Sequence, residues 1–120
     1  MPIKTRQLSQ KVLRAARSFP AVVITGPRQS GKTTLVRNLF KKTHSYINLE
    51  DPDTRARALI DPRLFFASLN STRVILDEIQ YVPELLFYIK SLIDEHRTPG
   101  RFIITGSQQF SLMQGVSESL

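Results

Sequence analysis

The order of apolar and polar positions divides the chain into alternating helical and extended segments. Leu8, Val12, Ala15 and Ala16 share one face of residues 5–18, with Arg6, Arg14 and Arg17 opposite. That spacing predicts an amphipathic helix, closed by Phe19-Pro20. Residues 21–25 form a short apolar, β-branched run, the pattern of a strand buried on both faces. A loop over residues 26–31 leads into a helix over 32–42, whose Leu35, Val36, Leu39 and Phe40 face the sheet. Residues 45–49 read as a second strand. Asp51-Pro52 and Asp61-Pro62 each offer an N-cap followed by proline at the first helical position, so two short helices follow. A third strand covers 73–77, and Leu85, Leu86, Ile89, Leu92 and Ile93 set the core face of a helix over 83–95. Thr98-Pro99-Gly100-Arg101 suits a type II turn before a fourth strand at 101–105, and the last residues begin another helix. Strands separated by helices imply right-handed βαβ units and a parallel sheet covered on both faces.

Between the first strand and its helix stands Gly26-Pro27-Arg28-Gln29-Ser30-Gly31-Lys32-Thr33, which matches G-x-x-x-x-G-K-[ST] at every fixed position. Glycines let successive backbone N–H groups close around phosphates, and the helix N-terminus adds its positive dipole end. Lys32 supplies a compact charge for the β- and γ-phosphates, the Thr33 hydroxyl can ligate Mg²⁺, and Thr34 is the last residue of the nucleotide-binding stretch. The strand 73–77 ends in Asp77-Glu78, an acidic pair at the tip of an apolar strand. Paired with an upstream phosphate loop, it reads as a Walker B site: Asp77 binds Mg²⁺ through water and Glu78 polarises the attacking water. The adjacent glutamate argues for hydrolysis, since no phosphate-acceptor site or arginine-rich lid of a small-molecule kinase is visible. After the fourth strand, Thr105-Gly106-Ser107-Gln108 offers a polar group to the γ-phosphate, with Ser107 the first choice as sensor and Thr105 the second.

Other residues weigh less. Asn48 and Glu50 fall where they can approach Glu78, although a cap or surface role is the plainer reading. His44 and His96 lack metal-ligand spacing and read as surface residues, and Tyr81, Phe87 and Tyr88 as core or rim.

Together, GPRQSGKTTL, NLEDPDTRA, VILDEIQ with PELLFYIKSLID, and FIITGSQQFSLM resemble one family over nearly the whole chain. It is the group of AAA+-like prokaryotic ATPases in which an N-terminal P-loop domain precedes a C-terminal domain of uncertain function. DEIQ at 77–80 and TGS at 105–107 are its most specific marks. The resemblance implies an α/β P-loop NTPase fold, a three-layer α/β/α sandwich of the additional-strand class with sheet order 5-1-4-3-2. It gives Lys32 and Thr33 the Walker A roles, Asp77 and Glu78 the Walker B roles and Ser107 the sensor role, with ATP and Mg²⁺ as cofactors. It names no substrate or pathway. The family's domain continues past residue 120 into an arginine-bearing segment and a fifth strand. On that reading residues 1–120 are its N-terminal portion, a helix over 5–18 and a nucleotide-binding core over 21–120. The strand 21–25 then lies at a sheet edge, which predicts self-association, and the lack of an arginine to stabilise transition-state charge predicts weak turnover in this piece alone.

Composition narrows the classes further. The 120 residues are 41% hydrophobic and 22% charged, within the ordinary globular range. With no cysteine, disulfides, cysteine-based zinc sites and thiol nucleophiles are excluded, which fits a cytoplasmic protein. No apolar run approaches the roughly 18–20 residues that span a bilayer. The net charge of +7 is concentrated early, since no acidic residue precedes Glu50. A basic face could attract nucleic acid, and salt-dependent DNA binding weakened by replacing Arg6, Arg14 and Arg17 would reveal it. Counter-charges elsewhere in the protein are the plainer explanation. Two functional readings stay open: an ATPase, and a nucleotide-dependent switch that hydrolyses only to reset. The absence of a guanine-reading motif favours adenine.

Overall fold

The computed structural model describes residues 3–27 and 31–107, with side chains from Arg6 onward. The chain runs α1 (Ile3–Ser18), β1 (Ala21–Thr25), α2 (Lys32–Phe40), β2 (Ser45–Asn48), α3 (Pro52–Ile60), α4 (Pro62–Ala67), β3 (Val74–Asp77), a 3₁₀ turn (Ile79–Tyr81), α5 (Leu85–Glu95) and β4 (Phe102–Gly106). The four strands form one parallel sheet in the order β1-β4-β3-β2. This agrees with the α/β P-loop architecture and with the part of the expected strand order that these strands represent. A fifth strand and a helix after 108 lie outside the described residues.

Strand alternation builds two apolar layers. Ala21, Val74, Leu76, Phe102 and Ile104 face one side, where Ala58, Phe65, Leu85, Leu86, Ile89 and Ile93 of α3, α4 and α5 cover them. Val22, Ile24, Ile75 and Ile103 face the other, against Val12 of α1 and Val36 and Phe40 of α2. Because a strand's side chains alternate with period two, a continuous apolar run is what such a doubly covered sheet requires. The fully buried Ile103 and Ile104 on consecutive positions of β4 show the consequence.

Local signals set most boundaries. The Asp51 carboxylate accepts from the Thr54 N–H at 3.1 Å, and that of Asp61 from the Leu64 N–H at 3.1 Å, each with proline in the first turn. Each cap satisfies a backbone donor the helix leaves open, worth about 1 kcal/mol. The Arg101 N–H donates to the Thr98 carbonyl at 3.2 Å and Gly100 has φ +69°, the geometry of the expected type II turn.

Three expectations need correction. Leu8 is 40% exposed, and Leu13 rather than Leu8 joins Val12 against the sheet, so the apolar stripe of α1 is rotated from the expected one. Helix α2 stops at Phe40 rather than 42, because Thr43 and His44 both donate their N–H to the Phe40 carbonyl. His44, expected at the surface, is buried. Its Nε2 lies 2.7 Å from the Gly100 carbonyl and its Nδ1 2.7 Å from the Thr43 hydroxyl. A carbonyl only accepts, so Nε2 carries the proton, while the Thr43 hydroxyl lies between Nδ1 and the Phe40 carbonyl, 3.3 Å away. Burial, followed by the nearby Arg73 charge, lowers the His44 pKa despite that backbone bond.

Candidate functional site at the carboxyl ends of the strands

Parallel strands bring their carboxyl ends to one edge of the sheet, and open α/β sheets bind ligands outside that edge. Here the edge gathers four of the five buried polar residues among those described: Lys32, Asp77, Glu78 and Thr105. Each arrives by a different local route.

The loop after β1 begins with Gly26, whose N–H donates to the Gly106 carbonyl at 3.2 Å and extends the β1–β4 ladder. Pro27 is exposed, and Arg28, Gln29 and Ser30 lie outside the described residues. Gly31 sits at the N-cap of α2 with φ +90°, a conformation that side-chain-bearing residues rarely adopt. That turn aims the first residues of α2 at the sheet edge. The Lys32 ammonium is buried and donates to the Gly26 and Pro27 carbonyls at 3.1 and 2.9 Å. Thr33 Oγ1 reaches 2.9 Å from Asp77 Oδ1 and 3.1 Å from Oδ2, while Thr34 is exposed.

Asp77 ends β3 with 3% of its surface exposed and collects hydroxyl groups from three elements. Besides Thr33, the Tyr46 hydroxyl donates to Oδ2 at 2.5 Å and the Thr105 hydroxyl to Oδ1 at 2.5 Å. Thr105 Oγ1 also accepts the Glu78 N–H at 2.9 Å. Burial raises the Tyr46 pKa, and its bond to Asp77 adds to the effect. Glu78 follows in a left-handed backbone conformation, φ 66° and ψ 53°, alone in this among the described residues other than glycine. Its buried carboxylate accepts from the Gln80 amide, and the Gln80 carbonyl oxygen accepts the Ser107 N–H at 3.1 Å. The Ser107 hydroxyl oxygen is buried without a hydrogen-bond partner among the described residues.

The electrostatics are lopsided. Two adjacent carboxylates are buried, yet among the described residues no lysine or arginine forms an ion pair with either. Buried charge without a counter-charge is expensive, and hydroxyl donors relieve only part of it. A carboxylate beside a threonine hydroxyl is an oxygen donor set suited to Mg²⁺, which takes few protein ligands and completes its shell with water and phosphate. The described residues hold no cluster of three or more His, Cys, Asp or Glu side chains that could hold a metal ion.

Of the weaker candidates, Asn48 turns its side-chain oxygen to the Glu50 N–H at 3.0 Å, and both residues are exposed. His96 is exposed, Tyr81 is half-buried beneath the Arg55 guanidinium, Tyr88 stacks on Phe66, and Phe87 is exposed. A cavity of about 600 Å³ opens beside β2, lined by Tyr46, Ile47, Asn48, Ile60, Leu64 and Phe65 among others; neither Asp77 nor Glu78 lines it. Sequence reasoning missed Tyr46 and Gln80. The signal for Tyr46 was its place two residues before Asn48, hence on the same face, on a strand paired with β3. Arg37 of α2 covers its ring, with the guanidinium carbon 4.2 Å from the ring centre.

Two relatives match the chain over its whole length. An uncharacterised protein of Mycobacterium tuberculosis (strain H37Rv) and another of Mycobacterium bovis are each 37% identical over 121 residues, covering 100% of this chain. The chain spans only 27% of the length of either relative. A family profile described as an AAA domain matches residues 18–120, a span that begins at the end of α1 and includes residues 26–34, Asp77, Glu78 and all of β4. With a parallel sheet in this strand order and a phosphate-loop pattern at its edge, the chain belongs to that AAA family of P-loop ATPase-like domains.

Proposed function

We propose that this chain binds ATP with Mg²⁺ at the carboxyl edge of the sheet and that the protein containing it hydrolyses the nucleotide. The observation that carries the reading is the meeting of Thr33 and Asp77, 2.9 Å apart from elements 44 residues distant, beside a buried lysine and a second buried carboxylate. Residues 26–34 cradle the phosphates, and Lys32 exchanges its two carbonyl partners for phosphate oxygens. Thr33 and Asp77 hold Mg²⁺, which when bound offsets negative charge on the phosphates. Glu78 accepts the proton of the water that attacks the γ-phosphate. Ser107, whose buried hydroxyl has no partner among the described residues, meets the γ-phosphate, while Thr105 fixes Asp77 and the Glu78 main chain.

A second reading, a nucleotide-dependent switch with slow turnover, draws on the carboxylates being occupied by Thr33, Tyr46, Thr105 and Gln80. Those bonds must rearrange before chemistry. Calorimetry of ATP with and without Mg²⁺ tests the common part, with Lys32→Ala as the control. Binding that needs Mg²⁺ and disappears in the variant supports the site; equal binding by both chains overturns it. Steady-state phosphate release by the full-length protein then separates enzyme from switch.

A further inference from the structure

We infer that Gln80 is the positioning residue for the Glu78 carboxylate and ties it to Ser107, the residue that follows β4; the inference rests on the hydrolytic reading above. The backbone first makes the contact possible. Glu78 leaves β3 in a left-handed conformation, and the 3₁₀ turn over Ile79–Tyr81 brings residue 80 back beside it. Such a conformation is disfavoured for a residue with a side chain and persists where neighbours over-determine it. One such neighbour is Thr105, which accepts the Glu78 N–H at 2.9 Å.

The side chain is held separately. Gln80 presents its two ends to partners of opposite and fixed polarity. The Glu78 carboxylate can only accept, and receives the amide hydrogen of Gln80. The Ser107 backbone N–H can only donate, and gives its hydrogen to the Gln80 oxygen at 3.1 Å. A group bridging these two must carry a donor and an acceptor on one rigid fork, and a primary amide does. Leucine would supply neither, and glutamate only the acceptor.

Both restraints on Glu78 therefore originate in β4 and the residue after it, through Thr105 for the main chain and through Gln80 and Ser107 for the carboxylate. Ser107 is also the residue whose buried hydroxyl lacks a partner among those described. A phosphate that engages residue 107 moves the N–H on which Gln80 rests, and so reorients Glu78. Gln80 thereby reports the γ-phosphate to the group that activates water, without touching the nucleotide. Misplacing a reacting group by about 1 Å costs on the order of 100-fold in rate, so the bridge matters for turnover far more than for binding.

The test uses the full-length protein. In Gln80→Leu, affinity for Mg²⁺-ATP is expected to stay within about twofold while single-turnover hydrolysis falls by roughly 10- to 100-fold. In Glu78→Gln, adding Gln80→Leu is expected to cause no further loss, because the group that Gln80 positions has gone. Gln80→Glu is isosteric, keeps the acceptor for Ser107 and loses the donor for Glu78. It is expected to lose turnover similarly, and it serves if Gln80→Leu does not fold. Wild-type hydrolysis in either variant overturns the inference. So does a parallel loss of affinity, or losses that add in the double variant, since either would make Gln80 a general structural element. A wild-type protein that binds Mg²⁺-ATP and never hydrolyses it takes down the hydrolytic reading instead, and this inference with it.

Discussion

The two ends of the parallel sheet both bury polar side chains, but they treat them differently. At the amino end, one ring nitrogen of His44 donates to the Gly100 carbonyl and the other lies 2.7 Å from the Thr43 hydroxyl. Arg73 nearby donates to the Pro99 carbonyl at 2.7 Å, and the Gly100 N–H donates to the Phe19 carbonyl at 2.8 Å. Each of these groups has a hydrogen-bond partner, so that end ties the end of α1, the turn before β4 and the start of β2 together. At the carboxyl end, two carboxylates lie side by side without an ion-pair partner among the described residues, one on a left-handed backbone. An ammonium there rests on carbonyls. The first arrangement is complete as it stands; the second is the one that, on the proposed function, a ligand bringing a cation and phosphate oxygens would complete.

Substitutions can sharpen or break this contrast. The largest effect is expected from Glu78→Gln, which should lower phosphate release by roughly 10²- to 10⁴-fold with little change in ATP affinity or thermal stability. Unchanged turnover in that variant would remove Glu78 from the chemistry. Gly100→Ala should do the reverse. A Cβ there would lie 2.9 Å from the Ala16 carbonyl oxygen at φ +69°, so denaturant titration should show a loss of about 3 kcal/mol, with ATP affinity per folded molecule retained. If nucleotide binding fell selectively instead, the two ends would not be separable. Thr105→Val keeps the shape but leaves the Glu78 N–H unpaired and takes a donor from Asp77. About 2 kcal/mol of stability should be lost, together with turnover.

The smallest effect is a pH dependence at the amino end. The His44 pKa lies below its unfolded value of 6.5, so the unfolded chain binds the proton more readily. Stability from the buried neutral ring is full above that value and declines as pH falls through the window between the unfolded and folded pKa values. Melting temperature should therefore drop from pH 7 toward pH 5, with a shallower slope in His44→Gln. An equal slope in both would assign the dependence to other groups.

Much of this molecule was legible locally. The phosphate-loop pattern, the acidic pair ending β3, the proline-marked caps at Asp51 and Asp61 and the turn at 98–101 are all decided by residues within a few positions of one another. Short-range sterics and hydrogen bonding fix them, so they can be read in order along the chain. The parallel sheet followed because strands alternate with helices. What tertiary structure alone decided is which distant side chains meet. Strand order sets β4 between β1 and β3, and register then puts Thr105 beside Asp77, one step beyond the Leu76–Ile104 pair. The same pairing of β2 with β3 carries the Tyr46 hydroxyl to Asp77, and the turn at Gly100 roofs His44. A threonine, tyrosine, glutamine or histidine suits a surface as well as a buried network in a linear reading. Only the fold removes its water and chooses its partner.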